Sequence, residues 1–272
     1  MAIYENNNFR RVVMPLLKFF NPGTISIKHH YTGKKFSLDA FHHKGYWYHG
    51  KKREHLTMDL FEKLLKADDV VLEVGGHIGY ITVYFSHLVT KGTVYVFEPG
   101  VNNLPFLEKN TGELKNVTLI RKAVSDQNGK AKFYIENLTG QNNSLLSDYE
   151  NFKTSDEVAF VKSDKKEVEV ETITIDTFCK QSSLIPNFIK IDIEGAELLA
   201  LNGMLLTLKT CKPLIMMEIT ENWQSIYKIF NENNYILYSE KKVQLKAENP
   251  HSGNTFCIPS EKHHLFTSSL IN

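Results

Sequence analysis

Residues 70–79 read Val-Val-Leu-Glu-Val-Gly-Gly-His-Ile-Gly, in which a short apolar run leads directly into a turn with three glycines. An apolar run of this length, bounded by turn residues, is typical of a buried strand. Glycines at its end allow the backbone to turn tightly, and the residues that follow, 80–88, have a helical pattern. This stretch therefore predicts a strand, a turn and a helix, the repeating unit of an α/β sheet.

Further along the chain, short apolar runs alternate with helical patterns. Strand candidates lie at 93–97, 117–121, 188–191 and 214–219, and helical patterns lie at 80–88, 105–110, 196–208 and 223–231. Continuous apolar strands are typical of a parallel sheet that is covered on both faces, and the alternation predicts right-handed βαβ units in a doubly wound, Rossmann-like sheet. Residues 235–238 and 254–258 are expected to close this sheet as a terminal hairpin, and residues 167–175 to form an extended antiparallel or bulged insertion.

The pattern differs before about residue 55. Three short aromatic and β-branched stretches, at 25–30, 35–41 and 46–48, are separated by glycines. They favour a small sheet or hairpins. Apolar residues then recur at helical spacing from residue 56 to residue 65. We therefore divide the chain into a small, β-containing N-terminal cap at 1–54 and an α/β domain at 55–272.

Composition and charge exclude several classes of protein. The chain has 272 residues, 42% hydrophobic and 23% charged, which is typical of a folded globular protein. With 32 Lys+Arg and 31 Asp+Glu the net charge is +1, so no global field attracts nucleic acid or an anionic membrane.

Cys179, Cys211 and Cys257 form no Cys-x-x-Cys pair, which argues against a zinc site and against a disulfide framework. The apolar run at 12–20 is interrupted by Pro15 and Lys18 and is too short to cross a bilayer. We predict a cytoplasmic protein with no transmembrane segment and no nucleic-acid partner.

Two acidic residues at strand ends point to a nucleoside. In doubly wound sheets ligands bind at the carboxyl ends of the strands, where Glu73 and Glu98 lie 25 residues apart, about the spacing expected of a ribose-binding acid. His77 stands where a dinucleotide turn needs its second glycine, and the chain has no phosphate-binding Gly-x-x-x-x-Gly-Lys-Ser/Thr loop. The common remaining ligand with a ribose and no phosphate is S-adenosyl-L-methionine, with its amino-acid end along the glycine turn.

The chain also resembles a known family, the FkbM family of class I methyltransferases, over about residues 56–259. The resemblance rests on these motifs: Glu73-Val-Gly-Gly-His-Ile-Gly79, Phe97-Glu98-Pro99, Asn110, Ala123-Val124-Ser125-Asp126, Thr174-Ile175-Asp176, Lys190-Ile-Asp-Ile-Glu-Gly-Ala-Glu197 and Met217-Glu218. The Lys190 to Glu197 string is the most specific of them. The resemblance implies a seven-stranded sheet and methyl transfer from S-adenosyl-L-methionine, usually to a hydroxyl oxygen of a sugar, glycolipid or natural product.

Carried over by position, the resemblance implies a role for each motif. Glu73 and the turn residues Gly75, Gly76, His77 and Gly79 would hold the methionine part, and Glu98 with Pro99 the ribose. Ala123 and Val124 would border the adenine, while Asp192 and Glu194 would face the sulfonium and the acceptor. Two departures stand out: Glu73 replaces the commoner Asp, and Gly76-His77 replaces the usual Ala-Asn.

Methyl transfer needs alignment of the reactants and, for a neutral hydroxyl, a base. Asp192 is the first candidate for that base, with Glu194 and His77 as further catalytic candidates; a cofactor amine contact or a helix cap is the alternative role of Asp192. Glu197 fits a helix N-terminus better than a catalytic role. Asp192, Glu194 and Glu218 together have the chemistry to bind Mg²⁺, but no required metal is predicted.

Four residues are predicted to contact a small-molecule or glycan acceptor: Trp47, Asn143, Ser144 and Glu218. Packing of the cap is the alternative for Trp47, a helix cap for Glu218, and disorder for the polar stretch at 140–164. Residues 51–53 are expected to form a solvated turn, and the histidine pairs at 29–30, 42–43 and 263–264 to lie at the surface. The predicted function is S-adenosylmethionine-dependent O-methylation; a non-catalytic nucleoside-binding protein and, more weakly, a nicotinamide-dependent oxidoreductase are the alternatives.

Overall fold

The computed structural model describes residues 19–136, 141–147 and 165–268. The N-terminal part contains β1 (Thr24–Lys28), β2 (Lys35–Asp39), α1 (Lys44–His49), a 3₁₀ turn (Gly50–Lys52) and α2 (His55–Leu64). The central part contains β3 (Val70–Val74), α3 (Tyr80–Leu88), β4 (Thr93–Phe97), α4 (Leu104–Thr111), β5 (Val117–Ile120), β6 (Ala123–Val124) and β7 (Gly129–Glu136). The C-terminal part contains β8 (Lys165–Ile173), α5 (Ile175–Ser182), β9 (Phe188–Ile191), α6 (Glu197–Asn202), α7 (Leu205–Thr210), β10 (Leu214–Ile219), α8 (Trp223–Glu232), β11 (Tyr235–Ser239), β12 (Gly253–Pro259), a second 3₁₀ turn (Ser260–Lys262) and α9 (His263–Ser268).

Seven strands form the central sheet in the order β11-β12-β10-β9-β3-β4-β5. The pairs among β10, β9, β3, β4 and β5 are parallel, whereas β12 is antiparallel to both of its neighbours. The predicted Rossmann-like, mostly parallel, seven-stranded sheet is therefore confirmed, as is the terminal hairpin. The strand order reverses between β3 and β9, so the crevice at a doubly wound sheet's switch point opens between the ends of these two strands.

Side chains alternate between the two faces of this sheet and build two cores. On β9, Ile189 and Ile191 pack with α5 to α8 in one core, while Phe188 packs with α2, α3 and the β1–β2 hairpin in the other. Lys190 shares the face of Phe188, and Glu73 lies directly opposite it on β3. The alternation therefore directs both charged side chains toward the N-terminal part of the chain.

Two smaller sheets flank the central one. β1 and β2 pair antiparallel, as the aromatic and β-branched pattern predicted. β8 pairs antiparallel with β7 and parallel with β6, which confirms the predicted extended insertion. Phe36 and Leu38 of β2 belong to the same core as α2 and α3, so this core extends across the predicted boundary between cap and domain. The position of that boundary stays a prediction.

Two predicted elements differ in the structure. Residues 46–48, predicted as strand, lie in helix α1, where Tyr46 is buried and Trp47 is partly exposed. Aromatic residues favour strands only weakly, and burial of a single helix face overrides that preference. The helical pattern at 196–208 is interrupted at Gly203, where an added Cβ would lie 2.1 Å from the carbonyl oxygen of Ser125. Within the described residues, no helix has the length and apolar character needed to span a membrane.

Phe61 of α2 is central to the aromatic core on the N-terminal side of the sheet. Its ring lies 4.9 Å from Phe85, 5.7 Å from Phe188 and 6.1 Å from Phe256, measured between ring centroids. We expect Phe61→Ala to lower the free energy of unfolding by about 3–5 kcal/mol because it leaves a cavity among these rings.

Urea denaturation measures this loss. Phe61→Leu, which keeps most of the volume, should lose about 1.5 kcal/mol or less, and Leu206→Ala, at a site that is 58% exposed, about 0.5 kcal/mol or less. Similar midpoints for the Phe61→Ala and Leu206→Ala variants would contradict the assignment of this core.

Candidate active site

The carboxyl ends of β3, β4 and β9 surround a cavity of about 270 Å³. It lies at the switch point of the sheet, where ligands bind in folds of this class. Most of the predicted site residues line it: Glu73, Gly75, Gly76, His77, Glu98, Pro99, Ala123, Val124, Asn143, Asp192, Glu194 and Glu218.

The glycine turn after β3 is held tightly against its neighbours. Gly75 has φ +88°, and an added Cβ would lie 1.9 Å from the carbonyl oxygen of Asp192, so only glycine fits. The N–H groups of Gly75 and Gly76 both donate to the carbonyl oxygen of Phe97 at 3.0 Å. The end of β3 is thereby fixed to the ends of β4 and β9.

Glu98 fixes the other side of the same turn. Its Oε2 accepts a hydrogen bond from the His77 N–H at 2.8 Å, and its Oε1 accepts one from the Gly100 N–H at 2.7 Å. Asn103 donates to Oε1 at 3.4 Å. Burial raises the pKa of Glu98 to about 7, against the effect of these donors. The side chain is thus oriented before any ligand binds.

A buried lysine connects the ends of β3 and β9. The ammonium of Lys190 donates to the carbonyl oxygen of Gly75 at 3.1 Å and pairs with Oδ2 of Asp192 at 3.0 Å. Although burial disfavours the charge, the carboxylates of Asp192 and Glu73 raise the pKa of Lys190. Burial also raises the pKa of Glu73 to about 7, which Lys190 opposes. Oε2 of Glu73 is buried and has no hydrogen-bond partner among the described residues.

Three carboxyl groups meet beyond Lys190. Oxygen atoms of Asp192, Glu194 and Glu218 lie within 4.8 Å of one another. The charge of Asp192 raises the pKa of Glu218, and Lys190 lowers the pKa of Asp192 against the effect of burial. Asp192 is therefore the ionised member of the pair and Glu218 the protonated one. This arrangement differs from the helix-cap alternatives for both residues.

The N-terminal part of the chain completes the cavity with Tyr46, Arg53 and Glu54. The hydroxyl group of Tyr46 hydrogen-bonds with Nδ1 of His77 at 3.0 Å, and the guanidinium of Arg53 lies 4.5 Å from the centre of the Tyr46 ring. Nε of Arg53 pairs with Oε1 of Glu54 at 3.1 Å. Residues 51–53 are thus not simply the predicted solvated turn: Lys51 and Lys52 are exposed, but Arg53 faces the cavity.

Three predicted residues lie outside the cavity lining. Gly79 has φ +87° and starts α3. Ser144 is buried and donates to the carbonyl oxygen of Glu194 at 2.7 Å, so it supports the wall of the cavity. The Trp47 indole N–H donates to the carbonyl oxygen of Ala40. Acceptor contact by Trp47 and Ser144 stays a prediction. Of the predicted loop at 140–164, residue 140 and residues 148–164 lie outside the described residues.

The prediction that the histidine pairs lie at the surface is wrong for His29 and His43, whereas the predicted role of Glu197 is confirmed. His29 and His43 are buried, not at the surface: Nε2 of His29 contacts the carbonyl oxygen of Tyr80, and Nδ1 of His43 accepts from the Asp39 N–H. The His29 ring packs against Tyr80 of α3 and the His43 ring against Phe106 of α4. Two adjacent histidines in a sequence give no indication of such tertiary contacts. Glu197 accepts from the Gly195 N–H at 2.9 Å, which confirms its role at the start of α6.

Sequence reasoning missed Tyr46, Arg53, Glu54 and Lys190. Lys190 carried a signal, because a lysine inside the apolar strand Phe188–Ile191 needs a buried anion nearby. The other three carried none, since their positions depend on how the N-terminal segment packs onto the sheet.

The residues at this cavity fit S-adenosylmethionine. The unpartnered, buried Oε2 of Glu73 suits a cationic group such as the methionine ammonium. Glycine at position 76 lets the cofactor turn pack closely against β4, because an added Cβ there would lie 2.3 Å from Val96. The apolar residues Ala123, Val124 and Phe133 line another part of the cavity and suit a flat base.

Sheet order, strand directions and the cavity at the switch point fit the class of S-adenosylmethionine-binding methyltransferase domains. Comparison with known sequences identifies the family. The Methyltransferase FkbM domain matches residues 73–237, more than half of the chain, and the chain belongs to the FkbM family.

Two curated relatives match about half of the chain. The 2-O-methyltransferase NoeI of Sinorhizobium fredii (strain NBRC 101917 / NGR234) is 29% identical over 147 residues, 49% of this chain and 56% of the relative. Methyltransferase 1 of Beauveria bassiana (strain ARSEF 2860) is 25% identical over 154 residues, 50% of this chain and 59% of the relative. The chain thus spans less than two thirds of either relative. The solved FkbM methyltransferase from Methylobacillus flagellatus KT is similar with a TM-score of 0.46 and 15% identity, covering 71% of this chain and 44% of that one.

The raised pKa of Glu73 predicts a pH-dependent stability. The folded protein keeps this proton up to about pH 7, whereas the unfolded chain loses it near the ordinary pKa of 4.5. The contribution of Glu73 to the free energy of unfolding therefore decreases as the pH rises between these two values. We expect Glu73→Gln to be more stable than the wild type by about 1–3 kcal/mol at pH 8, and to differ little at pH 4.

Urea denaturation at pH 4, 6 and 8 tests this expectation. Glu232→Gln, at an exposed position on α8, serves as the control and should follow the wild type at every pH. A difference between Glu73→Gln and wild type that does not change with pH would contradict a protonated, buried Glu73.

Proposed function

We propose that this protein transfers a methyl group to a hydroxyl oxygen of a sugar, a glycan or glycolipid, or a related natural product. The observation that carries the proposal is the carboxyl group of Asp192, which pairs with Lys190 at 3.0 Å and lies at the cavity wall beside Glu194 and Glu218. The similarity to a protein named as a 2-O-methyltransferase supports oxygen as the acceptor atom.

In this proposal the acids at the ends of β3 and β4 hold the cofactor. Glu98 accepts the ribose hydroxyls while its backbone donors keep it in place, and Glu73 accepts from the methionine ammonium. Ala123 and Val124 pack on the adenine. When bound, S-adenosylmethionine supplies a methyl carbon made electrophilic by the positive charge on sulfur.

Asp192 is proposed as the base that binds the acceptor hydroxyl and takes its proton. Lys190 keeps Asp192 ionised, and the protonated Glu218 stabilises it further, so the site holds one negative charge across two carboxyl groups. Glu194 lines the same wall and offers a second acceptor for a neighbouring hydroxyl of the substrate. Positioned proton transfer of this kind typically accelerates a reaction by about 10²–10⁴-fold.

Partner class and location are part of the proposal. Net charge +1 supports a small-molecule or glycan acceptor in preference to nucleic acid. The three cysteines are free, which supports a reducing compartment such as the cytoplasm.

Transfer of labelled methyl groups tests the acceptor class directly. The protein is incubated with methyl-labelled S-adenosylmethionine and a panel of neutral hexose glycosides, amino sugars and glycolipids, with single-stranded RNA included for comparison. We expect label to appear on sugar hydroxyls and not on RNA. Binding of S-adenosylhomocysteine without transfer to any sugar would favour the non-catalytic alternative, and competition by NAD the oxidoreductase alternative.

Two variants separate binding from chemistry. Asp192→Asn should lower kcat by about 10²–10⁴-fold with little change in the Kd for S-adenosylhomocysteine, because it removes the proposed base. Glu98→Gln should instead weaken S-adenosylhomocysteine at least about 10-fold, because it removes a charged acceptor of hydrogen bonds. Calorimetric titration and single-turnover kinetics measure these effects, with Tm as a check on folding. If Asp192→Asn lost binding and turnover in equal measure, Asp192 would be a cofactor ligand and not the base.

A further inference from the structure

The methionine end of S-adenosylmethionine carries a carboxylate, which needs hydrogen-bond donors or a cation where it is buried. The glycine turn offers few of these. The N–H groups of Gly75 and Gly76 donate to Phe97, that of His77 donates to Glu98, and that of Gly79 donates to Gly76. Four of the five N–H groups of the turn at 75–79 are therefore already used within the protein.

Two of the lysine and arginine side chains that line the cavity are already used. Lys190 is 2% exposed and is bound to Gly75 and Asp192. Lys122 pairs with Glu171 at 2.8 Å in the small sheet, on the side of Ala123 and Phe133. Neither side chain is available for a carboxylate near the glycine turn.

Arg53 differs from both lysines. Its Nε pairs with Glu54, and its two terminal nitrogens make no hydrogen bond with any described residue. The side chain is 28% exposed and faces the cavity. An added Cβ at Gly45 would lie 2.9 Å from Nη1, so Gly45 leaves the space that the guanidinium occupies.

The position of Arg53 is fixed relative to the glycine turn. Its guanidinium lies 4.5 Å from the centre of the Tyr46 ring, and the Tyr46 hydroxyl bonds to His77 of the turn. The Tyr46 side chain therefore contacts both Arg53 and the glycine turn, and its bond to His77 links the N-terminal segment to this turn. A planar guanidinium whose terminal nitrogens have no acceptor in the described part of the chain matches the geometry of a carboxylate.

We propose that Arg53 binds the methionine carboxylate of S-adenosylmethionine, so that a residue outside the matched family domain completes the cofactor site. The proposal rests on the proposed function only in its use of the cofactor. The same guanidinium has the chemistry to bind an anionic group of the acceptor, so the experiment must separate these two sources of a carboxylate.

Binding of two ligands without acceptor provides the test. S-adenosylhomocysteine carries the carboxylate, and its decarboxylated analogue, S-adenosyl-3-thiopropylamine, keeps the amine, sulfur and adenosine. Calorimetric titrations use the wild type, Arg53→Met and Arg53→Lys. Lys52→Met is the matched control, since it removes one positive charge from the adjacent exposed position.

We expect Arg53→Met to weaken S-adenosylhomocysteine by about 10- to 100-fold and to leave the decarboxylated analogue within about threefold. Arg53→Lys should keep part of the affinity, and Lys52→Met should match the wild type with both ligands. The wild type should therefore prefer the ligand with the carboxylate, and Arg53→Met should lose this preference.

Other outcomes would overturn the proposal in distinguishable ways. Unchanged S-adenosylhomocysteine affinity in Arg53→Met would assign the carboxylate to other donors, and a raised KM confined to anionic acceptors would then assign Arg53 to the acceptor. Equal losses for both ligands would give Arg53 a role in shaping the cavity. A wild type that binds neither ligand would refute the cofactor site itself, and with it both this proposal and the proposed function.

Discussion

The site depends on one buried ion pair, that between Lys190 and Asp192. A lysine in the middle of a sheet is costly unless its charge is matched, and here Asp192 and the carbonyl oxygen of Gly75 match it. The same contacts fix the turn after β3 to the end of β9, on either side of the switch point. Gly75 allows this close approach, because any side chain there would collide with the Asp192 backbone. Lys190 thus holds the cofactor turn through the Gly75 carbonyl oxygen and keeps the proposed base ionised through its pair with Asp192.

The N-terminal segment is a working part of this site, although it precedes the matched family domain. β2 places Phe36 and Leu38 in the core beside α3, and this packing carries α1 to the mouth of the cavity. Tyr46 then reaches His77, and Arg53 stacks on Tyr46. The division into cap and domain follows a change in the sequence pattern near residue 55. The cavity, in contrast, is lined by residues from both sides of that division.

Most of the fold was predictable from sequence, because apolar runs such as 70–74 and 188–191 have no stable place other than a covered sheet. The acids at strand ends were predictable for the same reason, since topology alone brings Glu73, Glu98 and Asp192 to one edge. Residues 46–48 and Arg53 were not, because helix α1 and the burial of a guanidinium arise from tertiary packing that local propensity does not encode. Lys190 lay between these cases: its strand was predicted, but its ion pair with Asp192 and its position opposite Glu73 became evident only from the structure.

The electrostatics of the cavity connect its stability with its chemistry. Glu73, Glu98 and Glu218 all have raised pKa values: burial raises those of Glu73 and Glu98, and the charge of Asp192 raises that of Glu218. Lys190 pairs with Asp192 and Nε of Arg53 pairs with Glu54, while the terminal nitrogens of Arg53 have no acceptor among the described residues. A ligand that brings a sulfonium and an ammonium supplies the missing positive charge, and its single carboxylate then needs a cation of its own. The same shortage of positive charge that makes the acids costly to bury therefore favours a doubly cationic cofactor and leaves the guanidinium of Arg53 as the matching group for its one anion.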